Sequence, residues 1–279
     1  MKKNVYGVGR RIALWGSALA LTAMAGCASV QTTQSGAVGV ERKQFIASSV
    51  PAEQLQQAAN QQYSQMMSEA RAKGALDKDA AQVKRVRDIT NRLIAQVSAF
   101  RPDAASWPWE VHVVSSDEVN AWCMPGGKMA IYTGLINKIK PTDDELAAVL
   151  GHEMAHALRE HSREQISQQM ATQVGLSVLS AVTGMPAVGD LGSALSNVMF
   201  TLPNSRTHET EADLIGVELA ARAGYDPRAA VTLWQKMGSL SGGGAPPEFL
   251  STHPSPSSRS TELQRSAEKV MPLYEAAKR

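Results

Sequence analysis

The residues best suited to chemistry are two histidines and a glutamate in the run His-Glu-Met-Ala-His at 152–156. If this run is helical, four residues turn the chain by about 400°, so both imidazoles lie on one face, one turn apart. Imidazoles at that spacing suit zinc, which a catalytic site holds with three protein ligands and a water. Glu153 lies about 100° around the helix, where it can accept a proton from that water and pass it to a leaving amine. We therefore predict a one-zinc site with His152 and His156 as ligands and Glu153 as the catalytic base.

A third zinc ligand has to come from another element, and an acidic segment offers two glutamates, Glu209 and Glu211. On a helical wheel these two are about 200° apart, so only one of them can face the metal. Glu209 shares its face with Asp213 and Gly216, which lie within about 60° of each other. We predict that Glu209 binds zinc and that Asp213 accepts the second ring N–H of His152. Glycine at 216 would allow close approach to the neighbouring helix.

The helix that carries the two histidines has a clear predicted start. Residues 142–145, Thr-Asp-Asp-Glu, have the form of a capping box, and apolar residues continue at helical spacing to Leu158. On a continuous helix His161 falls about 180° from His152, which predicts a surface position rather than a ligand.

The remaining elements follow from periodicity and turn residues. Residues 51–100 predict two amphipathic helices separated near Gly74, and a further helix is predicted from about 205 to 222. Residues 175–200 predict a packed helical hairpin or, alternatively, a lid or a flap that touches a membrane. A small sheet is predicted around a Pro-Gly-Gly turn, with strands near 111–114, 120–124 and 129–133. The expected fold class is α+β and mainly helical.

The strand predicted at 120–124 has two interpretations. As an exposed sheet edge it would pair with an extended substrate, which makes Asn120 and Ala121 candidate substrate-binding residues. As a core hairpin it would have no such function. Cys123 in this apolar strand is expected to be an inert buried thiol.

The composition and the N-terminus limit the class of protein further. With 279 residues, 43% hydrophobic and 19% charged, the chain is an ordinary globular protein rather than a disordered or collagen-like one. Four basic residues before an apolar run predict a secretory signal over 1–26. Its end, Met-Ala-Gly before Cys27, resembles a bacterial lipoprotein signal, in which Cys27 is acylated. Without the signal, 24 basic residues face 26 acidic ones, a net charge of −2, so no basic domain remains for nucleic acid.

These patterns divide the chain into three parts. After the signal at 1–26, residues 27–50 are predicted to be a lipid-anchored flexible tether, because Ser, Thr, Gln and Gly dominate its first half. Residues 51–279 are predicted to form a single zinc peptidase domain, with N-terminal helices at 51–100 and the catalytic core at 111–259. Alanine after the cysteine favours the outer membrane, so the expected location is an outer-membrane lipoprotein that faces the periplasm.

In order along the chain, these motifs resemble the HtpX-like and CAAX-prenyl-protease-like zinc metallopeptidases, and among them a secreted bacterial lipoprotein branch. The resemblance runs from about residue 111 to 259 and rests on five segments: Asn-Ala-x-x-x-Pro-Gly-Gly at 120–127, Thr-Gly-Leu-Ile at 133–136, His-Glu-Met-Ala-His at 152–156, Ser-Arg-x-x-Glu-x-x-Ala-Asp at 205–213 and His-Pro at 253–254. It implies a gluzincin-type fold with Glu209 as the third ligand to one zinc ion. It also implies endoproteolysis of misfolded or misassembled envelope proteins.

The resemblance leaves two residues with open roles. In related proteases a histidine at the Pro-flanked position of His253 either approaches the zinc as an inhibitory fourth ligand or donates a hydrogen bond to the oxyanion. A loop-packing histidine is the third interpretation. Arg259 either pairs with carboxylates near the site or lies on the surface at a helix start.

Two functions are compatible with the sequence. The first is a zinc-dependent endopeptidase, held at the membrane by its N-terminal lipid, whose substrates are unfolded or misassembled envelope proteins. The second is a chaperone-like assembly factor for outer-membrane proteins, in which proteolysis is secondary or is latched by His253. Glu153 favours the enzyme, because a pure binding scaffold would not need a general base.

Overall fold

The structure is a computed structural model that describes residues 27–183, 191–240, 247–254 and 258–279. Its elements, in chain order, are β1 (Cys27–Val30), β2 (Gln44–Ala47), α1 (Ala52–Ala72), α2 (Ala80–Ile94), β3 (Glu110–Val114), β4 (Ala121–Met124), β5 (Lys128–Tyr132), α3 (Thr133–Ile139), α4 (Asp143–Leu158), α5 (His161–Thr183), α6 (Leu191–Phe200), α7 (Arg206–Arg222), α8 (Ala229–Ser239), α9 (Glu248–Thr252) and α10 (Arg259–Ala277). The fold is α+β and mainly helical, as predicted.

Some predictions concern residues beyond these ranges. The signal at 1–26 lies outside the described residues, so the acylation of Cys27 stays a prediction. The segment predicted as a hairpin or flap, 175–200, lies in part outside them, and its described ends are helical in α5 and α6. No helix in the described ranges is long and apolar enough to span a bilayer.

The predicted small sheet is present and has three strands in the order β3-β5-β4. β5 pairs in parallel with β3 and antiparallel with β4. The turn between β4 and β5 contains Gly126 and Gly127, both at φ +83°, a backbone conformation that glycine adopts without a steric penalty. Because β5 lies in the middle of the strand order, β4 is an edge strand of this sheet.

α4 is the central helix of the molecule. The predicted capping box is present: Glu145 N–H donates to Thr142 Oγ1, and Thr142 N–H donates to Glu145 Oε2. Every residue of α4 from Glu145 to Leu158 is buried, because the sheet and the helices α2, α7 and α8 pack around it. Enclosure on all sides suits a helix that holds functional groups away from bulk water.

α7 crosses α4 where each helix has a glycine. A Cβ added at Gly216 would come within 2.7 Å of the backbone nitrogen of His152, and one added at Gly151 would come within 2.9 Å of the carbonyl oxygen of Gly216. This confirms the close approach predicted for Gly216. It sets α7 directly against the helical turn that begins at His152.

The substitution Gly216→Ala is expected to destabilise the fold, because a methyl group would press on rigid backbone rather than on a movable side chain. Overpacking of this kind costs about 1–3 kcal/mol. Gly238 in α8 provides the matched control, since a Cβ there meets no atom within 4 Å. Gly238→Ala is expected to stabilise by about 0.5–1 kcal/mol through helix propensity. Urea unfolding of both variants measures the difference, and equal stabilities would contradict the close crossing.

The prediction of a flexible tether at 27–50 is wrong for its described residues. β1 and β2 form an antiparallel ribbon, and Val38, Val40 and Val50 are buried. The polar composition suggested a tether, but those polar side chains bond buried groups of the core. Gln44, for example, is buried and donates to the backbone oxygen of Arg159. We call residues 31–44 the N-terminal strap.

Candidate active site

Four side chains converge in the interior of the molecule. His152 and His156 come from α4, Glu209 comes from α7, and His253 follows the end of α9. One ligand atom from each lies within 4.8 Å of the others, and all four residues are buried. The structure thus brings together the three predicted zinc ligands and adds His253, whose role the sequence left open.

The geometry of this ligand group suits a metal ion. The Nε2 atoms of His152 and His156 lie 3.1 Å apart, and the Glu209 carboxylate oxygens lie 3.5 Å and 3.4 Å from them. Neither oxygen of Glu209 receives a hydrogen bond from the part of the chain that the structure describes. Arg259 Nη1 lies 3.2 Å from Glu209 Oε2 as an ion-pair partner, but the hydrogen-bonding capacity of this buried carboxylate is unused in the described region, which is costly. Imidazole nitrogens with a carboxylate oxygen are ligand types that zinc accepts. The residues present therefore fit a zinc ion.

The orientation of His152 follows from its contact with α7. Its Nδ1 lies 2.9 Å from Asp213 Oδ1, and because an ionised carboxylate only accepts, Nδ1–H is the donor and Nε2 is the ring nitrogen directed at the ligand group. Arg259 in turn donates to Asp213 Oδ1 over 2.7 Å and lies 3.3 Å above the ring centre of Trp234. Of the two roles left open for Arg259, the structure shows the buried one, paired with carboxylates.

His161 is buried, contrary to the predicted surface position. A continuous helix would place His161 on the surface, but α4 ends at Leu158 and Glu160 adopts φ +53°. This break changes the helical phase before α5 begins. His161 Nδ1 lies 3.0 Å from Nδ1 of His156, so it supports a ligand from behind. Sequence reasoning also missed His208, which is buried beside it. The spacing of His208 and Glu211, three residues apart on one face of a predicted helix, is the sequence feature that could have indicated this position.

Glu153 lies next to the ligand group, and its carboxylate faces His253. Its Oε1 is 3.5 Å from Nε2 of His253 and receives no hydrogen bond from the described residues. Burial raises the pKa of Glu153 to about 8. A carboxyl group with a pKa near neutrality can accept a proton in one step and donate it in the next.

The imidazoles divide into charged and neutral forms. Burial lowers the pKa of His156 to about 4 and that of His253 to about 3, so both are neutral near pH 7. Burial also disfavours charged His152, but its hydrogen bond to Asp213 and the nearby negative charge of Glu209 outweigh it and raise its pKa to about 9. A metal ion at this group would displace the proton of His152, and neutral imidazoles are the form that binds metal.

A cavity of about 30 Å³ adjoins the ligand group, lined among others by Asn120, Ala121, Glu153, His253 and Met199. It has room for about two water molecules. The predicted edge strand is thus at the sheet edge and beside the site, yet its residues are buried rather than exposed. The strand packs against α4, and Trp122 in addition meets the Phe200 ring of α6 edge-on at 5.7 Å. Cys123 is buried in the same strand, as predicted.

The arrangement defines a class of protein. Two histidines one turn apart, a glutamate from a second helix and a buried carboxylate beside them constitute the active site of a metallopeptidase. Residues 80–267 match peptidase family M48, and the chain therefore belongs to that family, whose metallopeptidases are zinc-dependent. The predicted resemblance to HtpX-like and CAAX-prenyl-protease-like enzymes agrees with this at the family level, whereas the lipoprotein branch stays a prediction.

Three relatives illustrate the range of similarity. The mitochondrial metalloendopeptidase OMA1 of Arabidopsis thaliana is 42% identical over 168 residues, 60% of this chain and 33% of that protein. The mitochondrial metalloendopeptidase OMA1 of Bos taurus is 36% identical over 226 residues, 77% of this chain and 42% of its own. The beta-barrel assembly-enhancing protease of Escherichia coli is 29% identical over 216 residues, which are 73% of this chain and 42% of that protein. The chain spans about a third to a half of the length of these relatives.

The comparisons contradict the predicted location. Relatives at 33% to 42% identity are named as mitochondrial proteins, while the two beta-barrel assembly-enhancing proteases are 31% and 29% identical. The prediction of an outer-membrane lipoprotein that faces the periplasm is therefore wrong. It depended on a basic, apolar leader and the few residues before Cys27, a pattern too short to decide between compartments.

Proposed function

We propose that this protein is a zinc-dependent endopeptidase that cleaves misfolded or misassembled proteins at extended segments. The observation that carries the proposal is the position of Glu153. Its carboxylate lies 3.5 Å from His253 of the ligand group, and Glu153 lines the cavity beside the edge strand β4. A base in that place can reach a water and a peptide bond together.

The chain's own groups divide the chemistry between them. Zinc, when bound, would supply a Lewis acid that lowers the pKa of a water and polarises a carbonyl. Glu153 accepts the proton of the attacking water and later donates it to the leaving amine. Asp213 and Arg259 hold His152 in the tautomer that leaves Nε2 free. The apolar walls around α4 exclude bulk water, which strengthens each of these interactions.

The substrate class follows from the shape of the cleft. A peptide in extended form can pair with β4 beside Asn120 and Ala121, but the cavity there is too small until α6 moves away. Folded proteins expose few extended segments that are not already paired in a sheet, whereas misfolded and misassembled chains expose many. The name of the Escherichia coli relative, a protease that enhances beta-barrel assembly, supports substrates of this kind.

The proposal is tested by cleavage of an unfolded protein such as casein by the zinc-loaded chain. Cleavage products are expected inside the substrate sequence rather than only at its ends, detected by mass spectrometry. Treatment with a chelator should abolish cleavage, and added zinc should restore it. Cleavage that survives complete removal of metal would overturn the proposal.

A second function, the chaperone-like assembly factor, is favoured by one observation. His253 lies within the ligand group, where a fourth ligand would close the site and leave proteolysis latched. The two functions differ in what Glu153→Gln does. If the protein is an endopeptidase, the variant no longer degrades its substrate proteins but still binds them. If it is an assembly factor, the variant still promotes the assembly of the proteins that it binds.

The geometry favours the latch over the oxyanion donor for His253. Its Nδ1 lies 3.1 Å from the backbone oxygen of Phe249 and 3.0 Å from Thr252 Oγ1, whose own hydroxyl donates to backbone oxygens. Nδ1–H is therefore the donor to these oxygens, and Nε2 has a lone pair toward the site rather than a proton. The substitution His253→Ala is therefore expected to raise kcat/KM for peptide cleavage by opening a coordination position.

The matched control is His112→Ala, which removes a histidine from β3 that contacts Asp77 and Glu110 instead. It should leave the rate unchanged. A fall of about 10²–10³ in kcat on His253→Ala would instead identify an oxyanion donor. An unchanged rate would assign His253 to loop packing.

A further inference from the structure

A network of polar side chains stands behind the ligand His156. His156 Nδ1 lies 3.0 Å from His161 Nδ1, and His161 Nε2 lies 3.0 Å from Glu211 Oε2. An ionised carboxylate only accepts, so His161 Nε2–H donates to Glu211 and His161 Nδ1 becomes an acceptor. His156 Nδ1–H then donates to His161, and its Nε2 retains the lone pair that a metal needs. The position of Glu211 thus determines the tautomer of a ligand two side chains away.

A second imidazole and a second carboxylate flank this relay. The ring of His208 stacks on that of His161, with 4.3 Å between centroids and 12° between planes. His208 Nε2 lies 3.2 Å from Glu164 Oε2. The stacked pair therefore contacts two buried carboxylates, Glu211 through His161 and Glu164 through His208.

Arg42 of the N-terminal strap joins the two carboxylates. Its Nε and Nη2 donate to Glu211 over 2.7 Å and 3.0 Å, and its Nη1 and Nη2 donate to Glu164 over 2.7 Å and 2.8 Å. The planar guanidinium group matches two carboxylates at once, which the point charge of a lysine cannot do. Arg159 is the other guanidinium on Glu211, over 3.1 Å.

The strap that carries Arg42 is bonded to the catalytic core along its length. Gln34 N–H donates to the backbone oxygen of Phe100 over 2.7 Å, and Val38 N–H donates to the buried Glu218 over 2.8 Å. Arg159 donates to the backbone oxygen of Arg42 over 2.9 Å. The strap precedes residues 80–267, the part of the chain that matches the peptidase family. This support for the site therefore comes from outside the matched region.

We propose that the N-terminal strap is a positioning element of the metal site and that Arg42 acts through Glu211 and His161 to hold His156 toward the metal. The proposal rests on the zinc site of the proposed function. Without Arg42, Glu164 would lose its guanidinium partner in the described region, and Glu211 would keep only Arg159. Glu211 would then be drawn toward Arg159, and the acceptor that orients His161 would be displaced. Metal retention would thus depend on whether the N-terminal segment is seated.

The test compares Arg42→Gln with Arg85→Gln in the full chain. The two arginines are matched, because their side chains are 33% and 32% exposed and each pairs with a carboxylate at 2.7 Å, but Arg85 contacts Asp143 on another face. Zinc alone is the probe, and its dissociation constant is measured by competition with a chromophoric chelator. Arg42→Gln is expected to weaken zinc binding about tenfold, the lower end of the effect of losing a direct outer partner of a ligand, because Arg42 acts on His161 through Glu211. Arg85→Gln is expected to change it less than twofold.

Two further measurements separate positioning from mere structural support. The visible absorption of Co²⁺ in the site should change in Arg42→Gln, because the orientation of His156 changes, and stay as in the wild type in Arg85→Gln. Urea unfolding of the metal-free proteins gives the stability change independently. An unchanged zinc dissociation constant and Co²⁺ spectrum in folded Arg42→Gln would overturn the proposal, whatever its stability.

Three further outcomes of the test are distinguishable. If Arg42→Gln does not fold, Arg42→Lys takes its place, because lysine retains the positive charge but not the planar guanidinium that bonds two carboxylates at once. Weaker zinc binding by Arg42→Lys supports the proposal, and unchanged binding overturns it. If the wild-type chain binds no zinc, the proposed function fails together with this inference. If the wild type and Arg42→Gln bind zinc equally, the inference alone fails.

Discussion

Replacing Glu153 with glutamine is expected to lower kcat/KM for peptide cleavage by about 10²–10⁴-fold, the range for loss of a positioned general base. The amide has nearly the same shape but cannot accept the proton of the attacking water. Glu153 is not one of the four grouped ligands, so the variant should bind zinc as the wild type does. A peptidase assay and a zinc determination on the same sample give both numbers.

The matched control for this prediction is Glu145→Gln on the same helix. Glu145 is also buried, and glutamine at the third helical position retains the capping hydrogen bond to Thr142. Its activity should stay close to that of the wild type. Should Glu153→Gln retain wild-type activity with bound zinc, the proton would have to move through another group and the proposed mechanism would be wrong.

The second large effect is expected for Glu209→Gln, which should lose zinc. Glutamine removes the negative charge that faces His152 and His156 and offers a poorer ligand oxygen. The loss of affinity should exceed the 10–100-fold typical of residues behind the ligands. Arg259 still has Asp213 as a partner, so the fold should persist. Zinc content after dialysis and chelator competition measure the effect.

Glu145→Gln serves again as the control, because Glu145 is a buried carboxylate that contacts Thr142 and Lys236 rather than the ligand group. It should retain zinc. Glu211 is less suitable, although the sequence argument predicted that it does not face the metal. Glu211 holds His161 behind His156, so its loss should weaken zinc binding as well, by about 10–100-fold. Full zinc retention by Glu209→Gln would contradict the role of Glu209 as a ligand.

The sequence by itself determined those features of the site that depend on the helical period. The capping box at Thr142 sets the start of α4, and the spacing of His152 and His156 then places both imidazoles on one face. The same wheel on α7 separates Glu209 from Glu211 and groups it with Asp213 and Gly216. These relations are local, because a few backbone dihedral angles repeat within one element, and the structure places all of these residues as the period requires.

Only the tertiary structure decided what lies around those ligands. His161 is buried because one residue, Glu160, at positive φ resets the helical phase, and no periodic pattern contains that break. Residues 27–50 have the composition of a tether, yet Arg42 finds two carboxylates that are more than a hundred positions away in the chain. A short polar segment has too few apolar residues to indicate which part of the protein it packs against. Its partners here are the carboxylates of Glu164 and Glu211, which become buried only when other helices pack around them. Such contacts arise from the packing of distant elements, which is why local spacing could not predict them.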